Sequence, residues 1–74
     1  MKIVPMTFIH LGILWDVELC IDNEDIYVDH IVSATTLDVC GNTVNELHPD
    51  NANAIFDSND ELLNRVAYET YMEL

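Results

Sequence analysis

From Ile13 to Asp22 apolar and polar side chains alternate. Ile13, Trp15, Val17, Leu19 and Ile21 hold the odd positions, Asp16, Glu18 and Asp22 hold even ones, and Leu14 and Cys20 are the departures. Successive side chains of a strand point to opposite faces, so this stretch predicts a half-buried strand with Trp15 in the core. Val4, Met6 and Phe8 share one parity ahead of a break at Leu11-Gly12. They predict a first strand, which Pro5 pushes toward a sheet edge. Asp22-Asn23-Glu24-Asp25 reads as a polar turn, and Ile26-Tyr27-Val28 restarts the sheet.

Ile, Val, Thr and Tyr dominate from Ile26 to Cys40, which favours strand. The parity does not hold: Ile26, Val28, Val32 and Ala34 point one way, Leu37 and Val39 the other. Either a bulge shifts the register or there are two strands. Gly41-Asn42 suits a tight turn leading to a short return strand at Thr43-Val44. The rival reading is a helical turn opened by a capping box, Thr43-x-x-Glu46; the hairpin is the reading taken. His48-Pro49-Asp50 breaks what precedes it, and a brief helical turn is expected over Asn51–Phe56.

Ser58-Asn59-Asp60-Glu61 fits a capping box, and its acids suit the positive end of a helix dipole. In the helix that follows, Leu62, Leu63, Val66, Ala67, Tyr71 and Leu74 fall on one side at ~100° per residue. Glu61, Asn64, Arg65, Tyr68 and Met72 fall on the other. The expected class is α+β: a small antiparallel sheet of three to four strands with a C-terminal amphipathic helix packed on one face. A single domain over residues 1–74 is expected, without repeats or linkers.

Charge changes the picture. Fourteen acidic side chains face two basic ones, Lys2 and Arg65, for a formal charge of -12. Phosphate neutralisation, the basis of direct nucleic-acid binding, is excluded with so few cations. Attachment to anionic membranes is disfavoured on the same ground. Half of the residues are apolar, too many for a disordered acidic tail, so the charge sits on a folded domain. Lys2 and the mostly apolar stretch to Trp15 imitate a secretory leader. Pro5, Thr7 and His10 interrupt it, and no small-x-small cleavage site follows. A cytoplasmic protein with reduced Cys20 and Cys40 is therefore expected.

Asp16, Glu18 and Asp22 share one strand face, with Glu24, Asp25 and Asp29 just beyond. Residues two apart on a strand are roughly 6.6 Å apart, so such a row spaces negative charge much as a phosphate backbone does. It would suit the basic groove of a nucleic-acid-binding protein, with association steered by opposite potentials. A solvated face accounts for a modest negative charge; it does not account for the near-absence of Lys and Arg. On the helix, Tyr68 and Met72 stack i,i+4 beside Arg65, residue types enriched at interfaces, and could serve a partner or a homodimer.

Other chemistry finds little footing. The turn at Asp22–Asp25 lacks the glycine and distal glutamate of a calcium loop. His10, His30 and His48 lie on separate segments without metal-ligand spacing, and His30 reads as a hydrogen-bonded core or edge histidine. Cys20 and Cys40 have no adjacent base to activate them. Gly12 and Gly41 are the only glycines, so no phosphate loop exists. No enzyme activity, cofactor or metal is expected.

Ile31-Val32-Ser33-Ala34-Thr35-Thr36-Leu37, the Gly-Asn turn and the acidic carboxy-terminal helix resemble small acidic proteins of bacteriophages and prophages. Members of that class, anti-restriction and anti-CRISPR proteins among them, block host nucleases, restriction enzymes, CRISPR effectors, repair enzymes or transcription, many by imitating DNA. The resemblance implies a non-enzymatic inhibitor whose partner is a basic nucleic-acid-binding host protein. Asp16, Glu18, Asp22, Glu24, Asp25 and Asp29 would supply the charge, with Tyr68 and Met72 as anchors. The competing expectation is a small homodimeric interaction or assembly protein whose acidity serves solubility.

Overall fold

The computed structural model describes residues 1–73; Leu74, which the periodicity places on the apolar side of the last helix, lies outside them. Four strands, β1 (Lys2–His10), β2 (Ile13–Asp22), β3 (Asp25–Leu37) and β4 (Thr43–Glu46), precede two helices, α1 (Pro49–Ser58) and α2 (Asp60–Met72). The strands pair antiparallel in chain order, β1-β2-β3-β4, which gives the predicted α+β class.

β2 is the spine of the molecule. Its odd residues Ile13, Trp15, Val17 and Leu19 are buried, and Met6 and Phe8 of β1 join them on the inner face. Leu63 and Ala67 of α2 and Ala52 of α1 close over that face, while Ile26, Val28, Ile31, Ile55, Phe56, Val66 and Tyr71 pack around its margin. Ala34 lies directly across from Trp15 on β3, and the missing side-chain bulk makes room for the indole. Phe8 stacks on Trp15 at 6.5 Å and Phe56 meets it edge-on at 6.2 Å. The indole Nε1 donates to the His10 carbonyl at 3.2 Å, so its one polar atom is satisfied.

The broken parity of β3 has a definite cause. Val17 pairs with Ile31 and Asp16 with Ser33, which leaves Val32 unmatched; Glu18 pairs with His30 and Leu19 with Val28, which leaves Asp29 unmatched. Each bulge adds one residue and returns the following apolar side chain to the core. The inward set is therefore Ile26, Val28, Ile31 and Ala34, and Val32 is exposed, contrary to the simple parity. Alternation alone has no means of counting residues that a bulge inserts.

Leu11 and Gly12 both take positive φ, 59° and 69°, and join His10 to the facing Ile13. This is the backbone of a type I′ turn, which favours Asn-Gly. Leucine is strained there, because left-handed backbone costs an ordinary L-residue about 1–2 kcal/mol. Leu11 is exposed and makes no contribution to the core. Leu11→Asn should therefore stabilise the fold by about 0.5–1 kcal/mol. A thermal melt should show a midpoint raised by about 2–8 °C; an unchanged or lower midpoint would mean that Leu11 is held by contacts rather than merely tolerated.

The β3–β4 connection is longer than a tight Gly-Asn turn. The Asp38 carboxylate accepts from the backbone N–H groups of Cys40 and Asn42, both at 2.9 Å, and Gly41 takes φ 84°. These bonds, that to Asn42 first, hold the Asp38 carboxyl below its ordinary pKa. Because the folded pKa is depressed, the stabilisation is complete above the unfolded value near 3.9 and is lost as pH falls through the folded one. Asp38→Ala should lower the melting midpoint near neutral pH, and the gap from wild type should narrow on acidification. A gap that stayed constant to about pH 2 would show that the Asp38 side chain does not act through the charge of its carboxylate.

Beyond that loop Thr43–Glu46 is strand, so the capping box at Thr43 does not form. The helical turn expected over Asn51–Phe56 is a full ten-residue helix. Pro49 stands at its start, and the His48 ring accepts from the Asp50 N–H at 3.2 Å. Nor does a capping box form at Ser58. α1 runs through that residue, whose hydroxyl donates back to the Ala54 carbonyl, and Asn59 becomes the junction that begins α2. Leu62 is 42% exposed rather than buried, because it sits on the flank of α2 and not beneath it.

Candidate functional site

The helices cover only the inner face of the sheet, and the outer face carries the even residues of β2. Asp16 stands between Thr7 of β1 and Ser33 of β3, and Glu18 between Pro5 and His30. None of these four neighbours is a fixed cation. Both carboxylates are half-buried at the centre of the sheet. Asp22, Glu24 and Asp25 are exposed around the β2–β3 turn, where Asn23 adopts φ 57°, a conformation that asparagine tolerates. Asp29 is exposed at the first bulge.

That bulge does more than correct the register. It sets both Asp29 and His30 opposite Glu18, on the outer side. Glu18 Oε1 lies 2.9 Å from His30 Nε2, and Asp29 Oδ2 lies 3.2 Å from His30 Nδ1. The ring is thus held between two carboxylates at its two nitrogens, and it donates to both only in the doubly protonated form. His30 is 53% exposed, so of the two sequence readings the hydrogen-bonded edge histidine is the one found. Its membership of the acidic face was hidden in the sequence, because only the bulge at Asp29 aligns it with Glu18.

One more pair lies on this face. Cys20 is buried, directly across from Tyr27 on β3. The neighbouring Cys20 side chain is the largest cause of a raised Tyr27 phenol pKa. Slight burial follows, and the Asp22 and Asp29 carboxylates contribute further.

Six of the eight residues singled out by sequence, Asp16, Glu18, Asp22, Glu24, Asp25 and Asp29, therefore belong to one hairpin. The other two do not join them. Leu63 and Ala67 turn the inner side of α2 to the sheet, so Tyr68 and Met72, both exposed, point away on the far side of the molecule. A single flat partner surface does not reach both groups. Arg65, beside them, lies 3.8 Å from Glu69. The remaining acids, Asp38, Glu46, Asp50, Asp57, Asp60, Glu61, Glu69 and Glu73, are spread over the β3–β4 loop, β4 and the helices.

Among the described residues no group of three or more His, Cys, Asp and Glu side chains is placed to hold a metal ion. Glu18 and Asp29 approach opposite nitrogens of His30 and so diverge instead of converging on one point. Both cysteines are free, Cys20 buried and Cys40 exposed. An open depression lined by Ser58–Leu62 and Arg65 marks the α1–α2 junction, too shallow to enclose a small molecule. Among the described residues no helix is long and apolar enough to cross a membrane. Comparison with protein-family models, with curated proteins and with solved structures gave no match.

Proposed function

We propose that this protein is a non-enzymatic inhibitor that lays the acidic β2–β3 hairpin into the basic nucleic-acid site of a host protein. The observation that carries this reading is the gathering of six carboxylates on one hairpin whose outer face the helices leave uncovered. Lys2, the basic residue nearest in the sheet, is opposite Ile21 on β1, and His30 is the only titratable base among the six. Negative charge concentrated on a rigid sheet needs no reorganisation on docking, which keeps the ordering cost of association low. Opposite potentials would accelerate encounter with a basic groove and repel nucleic acid from the occupied site. The partner belongs to the nucleases, restriction enzymes, CRISPR effectors, repair enzymes or transcription factors, met in the host cytoplasm.

The test is capture by the immobilised protein from bacterial lysate, washed at low and at moderate salt, followed by competition. The retained protein should leave the matrix as salt rises, and it should lose its nucleic acid when the acidic protein is added. Retention indifferent to salt, by a protein with no nucleic-acid site, would instead favour a small assembly protein whose charge serves solubility.

A further inference from the structure

We propose that β1 pairs with β1 of a second copy of this chain, antiparallel and about a two-fold axis at Thr7, joining two sheets into one. This does not rest on the inhibitor reading. The sheet has two outer edges, and the fold treats them differently. The edge opposite β1 is short and interrupted: it passes from β3 to the four-residue β4. Bulges at Asp29 and Val32 break its ladder, and the Asn64 side chain of α2 accepts from the outward Val28 N–H at 2.8 Å. Farther along, β4 pairs with Thr35 and Leu37, and the Leu47 N–H reaches the Ala34 carbonyl at 2.7 Å.

β1 has no such cover. It is nine residues long and pairs with β2 without a register shift. The two-residue turn makes His10 and Ile13 a hydrogen-bonded pair, so the even residues of β1 bond inward and Ile3, Thr7 and Ile9 turn their N–H groups outward. Pro5 falls on the outward parity, where its missing N–H leaves the β2 ladder intact. Pro5 withholds one outward N–H, but its carbonyl and the outward groups of Ile3, Thr7 and Ile9 are left for another strand to pair with.

Charge selects the occupant. β1 is the one element of the six with no Asp or Glu, and it carries Lys2. A chain of formal charge -12 meets a copy of itself with least repulsion there. With β1 against β1, the two β2 strands and their Asp16 and Glu18 carboxylates stand roughly 14 Å apart, three strand spacings. That exceeds the ~8 Å Debye length at physiological ionic strength. The geometry is self-complementary. Thr7 facing Thr7 exchanges N–H and C=O in both directions, and Ile9 facing Pro5 donates to the one group that proline retains. The same register covers Ile9, 61% exposed in the single chain, with the partner's Pro5 ring. Both outer faces then lie on the same side of the joined sheet.

Sedimentation and light scattering over a concentration series should find a dimer. Hydrogen exchange should find the Thr7 and Ile9 amides protected more strongly as concentration rises. Thr7→Pro removes an outward N–H from each copy and should weaken dimerisation more than about tenfold. Ile9→Lys, on the solvated face and without backbone constraint, should weaken it too if the proline variant fails to fold. Tyr68→Ala with Met72→Ala should leave the dimer intact. A wild-type protein monomeric at several hundred micromolar, Thr7 and Ile9 amides that exchange independently of concentration, or a dimer broken by the Tyr68 and Met72 changes and not by Ile9→Lys would overturn the proposal.

Discussion

Trp15→Ala should leave this protein largely unfolded at room temperature or only marginally folded. Trp15 is completely buried, held by Phe8 on one side and Phe56 on another, and its aromatic contacts link β1, β2 and α1. Truncating a buried aromatic to alanine costs about 3–5 kcal/mol. A domain of this length has in total roughly 4–11 kcal/mol. It has few ways to absorb the loss, because Ala34, directly across on β3, is too small to move into the space. Urea denaturation followed by far-UV circular dichroism should show the midpoint reduced by a third or more, or no folded baseline. Trp15→Phe, which keeps most of the apolar volume, should cost less than half as much. A Trp15→Ala protein that unfolds cooperatively within a few tenths of a molar of the wild-type midpoint would mean that the core is organised elsewhere, around Leu19 and Leu63.

Trp15 also marks how far sequence reasoning reaches. β2 was legible because a strand with one face buried and one solvated has no pattern but alternation, and ten residues without an inserted one display it despite Leu14 and Cys20. β3 was legible as strand and not as register, since Asp29 and Val32 carry nothing in their chemistry that announces an inserted residue. α1 is longer than its local sequence suggests for a related reason. Pro49-Asp50-Asn51-Ala52-Asn53 is a poor helix former by propensity, and the helix is retained by burial of Ala52 with Ile55 and Phe56 packed at the core margin. The acidic face followed directly from the β2 alternation, which is local. His30's place in it did not, because that depends on pairing across two strands. Nor did the separation of Tyr68 and Met72 from the acids: periodicity tells which side of a helix is wet, never which side of the molecule that wet side occupies.

Reversing Asp16 and Glu18 to lysine should abolish partner binding while the fold survives. Each change moves the local charge by two units, so a surface that attracts a basic groove becomes one that repels it. Like-charge juxtaposition across an interface costs several kcal/mol, and a loss of about 100-fold in affinity needs only about 2.8. Both side chains lie half-buried on the outer face, flanked by Thr7, Ser33, Pro5 and His30. Lysine stems can lie along such a surface with the ammonium in water, so melting midpoints should stay within a few degrees. The control that matters is Asp57→Lys with Asp60→Lys at the α1–α2 junction. It changes net charge by the same amount on the helices, which lie against the opposite face of the sheet from Asp16 and Glu18. If the hairpin is the docking surface, that double variant should bind within about threefold of wild type, its small loss coming from long-range steering that salt screens. Asp16→Asn with Glu18→Gln, which removes charge without reversing it, should fall between the two. Equal losses from the hairpin and the helix variants would show that overall negative charge attracts the partner and that no single surface recognises it. Undiminished binding by the lysine variant at Asp16 and Glu18 would remove the acidic sheet face from the mechanism altogether.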